Sequence, residues 1–151
     1  MTDHKEKAIK LFYEGCNCSQ AVFAAFCDIT GVEYKTALRM ASPFGGGIGR
    51  MRETCGAVSG MLLAAGCLFG YDDICDPLKK KEAYILTAQM VNRFKEQMGS
   101  ITCREILGLK SYVYSPEAQP RTPEFYATRP CPKCIALAAS VLDNVIKERK
   151  V

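Results

Sequence analysis

Residues 54–69 read TCGAVSGMLLAAGCLF, a stretch without a single charged side chain. It spans about four helical turns and is apolar nearly all round, so it is read as a helix running through the middle of a domain. Gly56, Gly60 and Ala64 recur every four residues. They leave a smooth stripe on one face, on which a neighbouring helix packs closely. The nearly apolar part, Ala57 to Phe69, is thirteen residues long, whereas a membrane span needs about 20. No membrane insertion is expected.

On either side the apolar residues keep a three-to-four spacing, and no segment shows the alternation of a strand. Residues 4–14 place Ala8, Ile9, Leu11 and Phe12 on one side before Gly15 interrupts. Residues 17–29 carry Ala21, Val22, Ala25 and Phe26, with Asn17 or Ser19 as cap and Gly31 as stop. Residues 33–41 form a short helix halted by Ser42-Pro43. Downstream, Asp76-Pro77 reads as cap and first residue of the longest helix, 77–98. Its Ala83, Leu86, Met90, Phe94 and Met98 face inward, while Lys79, Glu82, Arg93 and Glu96 face water. Thr102 to Leu107 makes a turn or two ended by Gly108, and residues 131–148 turn Ile135, Ala138, Ala139, Leu142, Val145 and Ile146 inward. The expected fold is an all-α bundle of about five main helices. At 151 residues and roughly 100–200 residues per domain, residues 1–151 are read as one domain.

Two segments break the helical pattern. In Phe44-Gly45-Gly46-Gly47-Ile48-Gly49-Arg50, four glycines in five positions exclude a helix interior. Such a loop needs positive φ or a close approach to something. It runs toward Cys55 and the next helix start, where backbone amides can cradle an anion. Gly45, Gly46, Gly47, Gly49 and Arg50 are therefore candidate cofactor-binding residues. A tight turn that merely lets two helices touch remains open as the other reading. Walker and dinucleotide patterns are both absent. Residues 109–130 hold Pro116, Pro120, Pro123 and Pro130, and so long a connection is a lid or binding loop or is disordered.

The balance of 20 Lys plus Arg against 16 Asp plus Glu gives +4, spread along the chain. This points to solvated helix ends rather than a nucleic-acid stripe, and no nucleic-acid partner is expected. The first seven residues are charged and polar, without a secretory core, so a cytoplasmic location is expected. The apolar helices leave room for a homodimer.

Nine cysteines, Cys16, Cys18, Cys27, Cys55, Cys67, Cys75, Cys103, Cys131 and Cys134, set this chain apart. An odd number in a reducing compartment suggests metal ligation or redox chemistry rather than a disulfide framework. Cys18, Cys55 and Cys131 lie at or near predicted helix starts, and Cys103 opens a short turn. The unpaired amides and the partial positive charge there stabilise a thiolate. Cys27 and Cys67, inside apolar helices, are read as core packing. Cys131-Pro132-Lys133-Cys134 is a CxxC, but it lacks a βαβ context. The only histidine, His4, which a relay would need, is placed at a mobile terminus.

Gly15-Cys16-Asn17-Cys18-Ser19-Gln20-Ala21-Val22, the glycine loop, Cys55-Gly56-Ala57-Val58-Ser59-Gly60, Phe94 to Gly108 and Cys131-Pro132-Lys133 together resemble a known family. It comprises the redox-active proteins of the C_GCAxxG_C_C type, small bacterial and archaeal proteins with four cysteines and a CGAxxG motif. The resemblance covers residues 5–147. It implies Cys18, Cys55, Cys103 and Cys131 as the functional set, as metal ligands or as catalytic redox thiols. It implies no role for Cys16, Cys27, Cys67, Cys75 or Cys134, and Cys134 stands where an aromatic or apolar residue is expected.

Three functions follow. In the first, the four thiolates hold an Fe–S cluster for electron transfer, with Arg50, Arg52 and Arg104 offsetting its charge and residues 109–130 shielding it. In the second, an oxidoreductase exchanges thiols and disulfides, Cys55 attacking and Cys18 or Cys131 resolving. In the third, the four cysteines form a zinc or other metal module without turnover. The expected partner is a redox protein or a small-molecule oxidant or reductant.

Overall fold

Asn17 and Gln20 start the central helix by a reciprocal contact. The Asn17 side-chain oxygen accepts from the Gln20 N–H at 2.9 Å, and the Gln20 side-chain oxygen accepts from the Asn17 N–H at 3.0 Å. This box satisfies donors that a helix start leaves orphaned. The computed structural model describes residues 3–149. Among them the helices are α1 (His4–Tyr13), α2 (Cys18–Ala25), α3 (Cys27–Thr30), α4 (Tyr34–Ala41), α5 (Gly56–Phe69), α6 (Pro77–Met98), α7 (Cys103–Ile106), α8 (Pro123–Thr128) and α9 (Cys131–Glu148), with a 3₁₀ turn at Ser42–Phe44. There is no β-strand among the described residues, only an isolated bridge between Thr54 and Thr102. The fold is all-α, and no described helix is long and apolar enough to cross a membrane.

The middle of the bundle is the pair α2 and α5, as expected of 54–69, and α5 packs on α2, α3, α4, α6 and α9. Ala21 to Phe26 are fully buried, and α1, α4, α5 and α9 all pack on α2. The small-residue stripe makes the closest of these contacts. A Cβ on Gly60 would stand 2.5 Å from the Ser19 carbonyl oxygen, and one on Gly56 would stand 3.1 Å from the Cys18 Cβ. The two helices start at the same end, but α2 has 8 residues and α5 has 14. Past Ala65, α5 outruns its partner, so Cys67 is exposed instead of lying in the core. Cys27 is half-buried against the core.

Three further expectations change. The helix expected over 17–29 breaks at Phe26 (φ −98°, ψ 10°), and α3 follows it to a left-handed Gly31. After the break, Asp28 meets His4. That histidine is buried rather than mobile, with Nδ1 2.6 Å from Asp143 of α9 and Nε2 2.9 Å from Asp28. Its ring stacks on Phe26 at 4.1 Å. Its partners lie 24 and 139 residues away in sequence, beyond the reach of any local pattern. In the proline-rich segment, Thr122 caps α8 by accepting from the Phe125 N–H at 3.1 Å. At six residues this helix is too short to reveal a period.

The expected long helix is α6. Asp76 caps it by accepting from the Leu78 and Lys79 amides at 3.0 and 3.2 Å. Leu86, Met90 and Phe94 are buried, whereas Leu78, Tyr84 and Ile85 near its start are exposed.

Candidate functional site

Two extended residue runs lie side by side at the start of α5. Cys55 N–H donates to the Ile101 carbonyl at 2.7 Å, Cys103 N–H to Glu53 at 2.6 Å and Arg104 N–H to Arg52 at 3.1 Å. This pairing places Cys55, which precedes α5, beside Cys103, which opens α7. From the other side come Cys18, the first residue of α2, and Cys131, the first residue of α9.

The glycine loop closes the ring. Gly46, Gly47 and Gly49 have positive φ, and so do Ile48, Arg50 and Arg52, which lack glycine's freedom. Left-handed backbone costs such residues about 1–2 kcal/mol each. The loop holds itself: the amides of Ile48, Gly49, Arg50, Arg52 and Glu53 donate to carbonyls of residues 43–47, and that of Met51 donates to Ile48. Close approach also constrains the loop, since a Cβ on Gly47 would lie 2.6 Å from the Cys103 Cβ, and one on Gly45 would strike the Asn17 side chain.

The four expected cysteines line one narrow chamber of about 40 Å³, together with Cys134, Gly46, Gly47 and Arg52. Cys134 follows Cys131 by three residues on a helix, so the two share a face. The CxxC spacing was the signal for it. Cys16 and Cys75 lie outside the chamber. So does Arg104, which pairs with Glu53 at 3.6 Å.

The sulfurs act on one another. Cys18 donates to Cys131, and this contact is the largest cause lowering the Cys131 thiol to about 7, helped by Arg129, Arg121 and Arg52. The same contact, together with burial, pushes Cys18 well up. Cys134 stands to Cys55 as Cys18 does to Cys131. Its hydrogen bond lowers Cys55, aided by the Ala57 and Val58 amides at the helix start, while Cys134 itself is raised. Burial raises Cys103, opposed by Arg52, whose Nη1 lies 3.6 Å from its sulfur. Among the described residues, no three His, Cys, Asp or Glu side chains are arranged to hold a single metal ion.

Beside the chamber, and sharing Cys18, Cys131, Gly46 and Arg52 with it, is a cavity of about 480 Å³. Gly45, Gly49 and Arg50 line it as well. The proline-rich segment covers it, tied down by arginines. Arg50 Nη1 donates to the carbonyls of Ser115, at 2.9 Å, and Glu117. Arg121 donates to those of Phe12 and Cys16, each at 3.0 Å.

No curated protein and no solved structure matches the chain. A family model does, over residues 16–145, a range that contains all five chamber cysteines and the glycine loop. The chain therefore belongs to the family described as "Putative redox-active protein (C_GCAxxG_C_C)".

Proposed function

We propose that the cysteine chamber is an electron-transfer centre in which Cys18, Cys55, Cys103 and Cys131 hold an iron–sulfur cluster. The observation carrying this reading is that five thiols from four separate parts of the chain share one chamber, whereas a dithiol couple needs only a pair. An all-sulfur donor set is the ligand set of such clusters. A cluster divides its thiolates among several irons, so its ligands need not surround one point as those of zinc do. Two further features suit a bound anionic group. Gly47 leaves out a side chain that would press on Cys103. Arg52 is 5% exposed, and its Nε has no hydrogen-bond partner.

When bound, the cluster supplies one-electron redox chemistry. The chain's own residues prepare the place. Arg52, held in a strained left-handed conformation, directs a buried positive charge at the sulfurs, and such strain clusters at functional sites. The Arg52 guanidinium lies 5.4 Å from the Tyr112 ring, which helps to exclude water. Nine unpaired thiols suit a reducing compartment, and we place the protein in the cytoplasm.

A second reading rests on the acidity of Cys131. Its thiolate, available near pH 7, faces the larger cavity beside its partner Cys18. Cys131 would attack a substrate disulfide and release one thiolate. Cys18 would displace the other, leaving a Cys18–Cys131 disulfide. Of the two thiols lowered in this way, Cys131 borders the open cavity, whereas Cys55 is buried.

Anaerobic purification with iron and sulfide analysis and a visible spectrum separates the two. The proposal expects stoichiometric iron that is lost on changing Cys18, Cys55, Cys103 or Cys131 to Ala and kept in Cys67→Ala. A colourless protein that gains a pair of free thiols on reduction supports the second reading. Equal iron loss at Cys67 would mean that the site is misplaced.

A further inference from the structure

The 480 Å³ cavity has the size of a small-molecule site and an uneven charge. Arg50, Arg52, Arg121 and Arg129 line it, and no Asp or Glu does. Among the described residues none of the four has a carboxylate within ion-pairing distance, unlike Arg93 and Arg104. Arg50 and Arg121 are anchored to backbone carbonyls, which fix their position but leave their charge uncompensated. Arg52 is buried, with Nη1 3.6 Å from the Cys103 sulfur and no partner for Nε, and the Arg129 guanidinium lies over the Phe125 ring, 5.0 Å from its centroid. The rest of the lining is apolar and aromatic, with Phe12, Tyr114, Pro116, Ala118 and Phe125.

We propose that this cavity binds a small organic anion, its acid group seated by Arg129 in the field of the neighbouring guanidinium groups and its flat apolar body against Tyr114 and Phe125, beside Cys18 and Cys131. Guanidinium groups suit carboxylate and phosphate by forked hydrogen bonds and also stack on flat rings. That the ligand is the small-molecule partner of the thiol centre rests on the function proposed above. The binding itself does not.

Flavin mononucleotide and riboflavin share a flat ring and differ by a phosphate, so they serve as probes with the full-length protein, titrated by flavin fluorescence. The mononucleotide should bind saturably and at least about tenfold more tightly than riboflavin, weakening as salt is raised. Arg129→Gln should weaken it by about tenfold, with an unchanged circular dichroism spectrum. Lys133→Gln removes an exposed charge outside the cavity and should change nothing. Absence of saturable mononucleotide binding, equal affinity for riboflavin, or an equal loss in Lys133→Gln would overturn the assignment. Iron content, measured on the same samples, reports on the thiol centre separately. Protein that lacks iron but still discriminates between the probes refutes the cluster and keeps the cavity.

Discussion

Gly47→Ala probes the contact on which the chamber's geometry depends. Gly47 has φ 73°, and its added Cβ would stand 2.6 Å from the Cys103 Cβ, 2.7 Å from the Glu53 nitrogen and 2.8 Å from the Arg52 Cα. Left-handed backbone alone costs alanine about 1–2 kcal/mol. The obstructing atoms are backbone or Cβ and cannot swing aside, so overpacking adds about 1–3 kcal/mol. Gly49→Ala is the matched control: φ is 55°, with nothing within 4 Å of the new Cβ, so it carries backbone strain alone. The difference between the two variants is then about 1–3 kcal/mol. With an m-value of about 2 kcal/mol per molar urea, Gly47→Ala unfolds about 0.5–1.5 M earlier than Gly49→Ala. Alkylation of Cys103 in native buffer should also rise in Gly47→Ala and not in the control. Coincident urea midpoints with equal Cys103 reactivity would show that the loop does not press on residues 52, 53 and 103, and the account of how the chamber is held would fail.

The lowered Cys131 thiol should be visible in cluster-free protein. Its alkylation, followed by peptide mass spectrometry, should reach half its maximal rate near pH 7 instead of near 9.0, because a lowered value populates the thiolate earlier as pH rises. Cys18→Ala removes the largest cause, so the midpoint must move up, and an unmoved midpoint contradicts the assignment. His4→Ala removes the bonds to Asp28 and Asp143 at a cost of about 2 kcal/mol. That is a fall of about 4–8 °C in melting temperature for a chain of this size, and a change below 1 °C would mean that the pair of contacts contributes nothing. Arg121→Gln frees the proline-rich segment from Phe12 and Cys16. Tryptic cleavage at Lys110 should accelerate about tenfold, and an unchanged rate would show that the segment is held by other contacts.

The all-α fold was legible because its information is local. Three-to-four spacing, the Asp76 cap and the choice of Asn17 or Ser19 as cap each act within a turn or two, and α2 and α6 start where these signals are, with Asn17 as the cap of α2. The Gly56 and Gly60 stripe could be read for the same reason, as could the positive φ of Gly46, Gly47 and Gly49. Cys18, Cys55, Cys103 and Cys131 could be singled out by their places near helix starts and by the family's motifs. For Cys134 the signal was its CxxC spacing from Cys131, which the family's motifs, lacking a cysteine there, do not carry.

What lay beyond the sequence depends on contacts between distant segments. Whether Cys67 is buried depends on α5 being longer than the helix it packs on, which is a matter of comparing two partners. His4 acquires its carboxylates only when α1, α3 and α9 meet. The pairing of residues 52–55 with 101–104 joins segments that share no periodicity, and it alone brings Cys55 beside Cys103. The sequence by itself determined the helices and the supply of thiols, since both follow from short-range sterics and side-chain chemistry. Only the tertiary structure decided which sulfurs share a chamber and which arginines surround the cavity beside it, because proximity across the chain is set by how the helices pack.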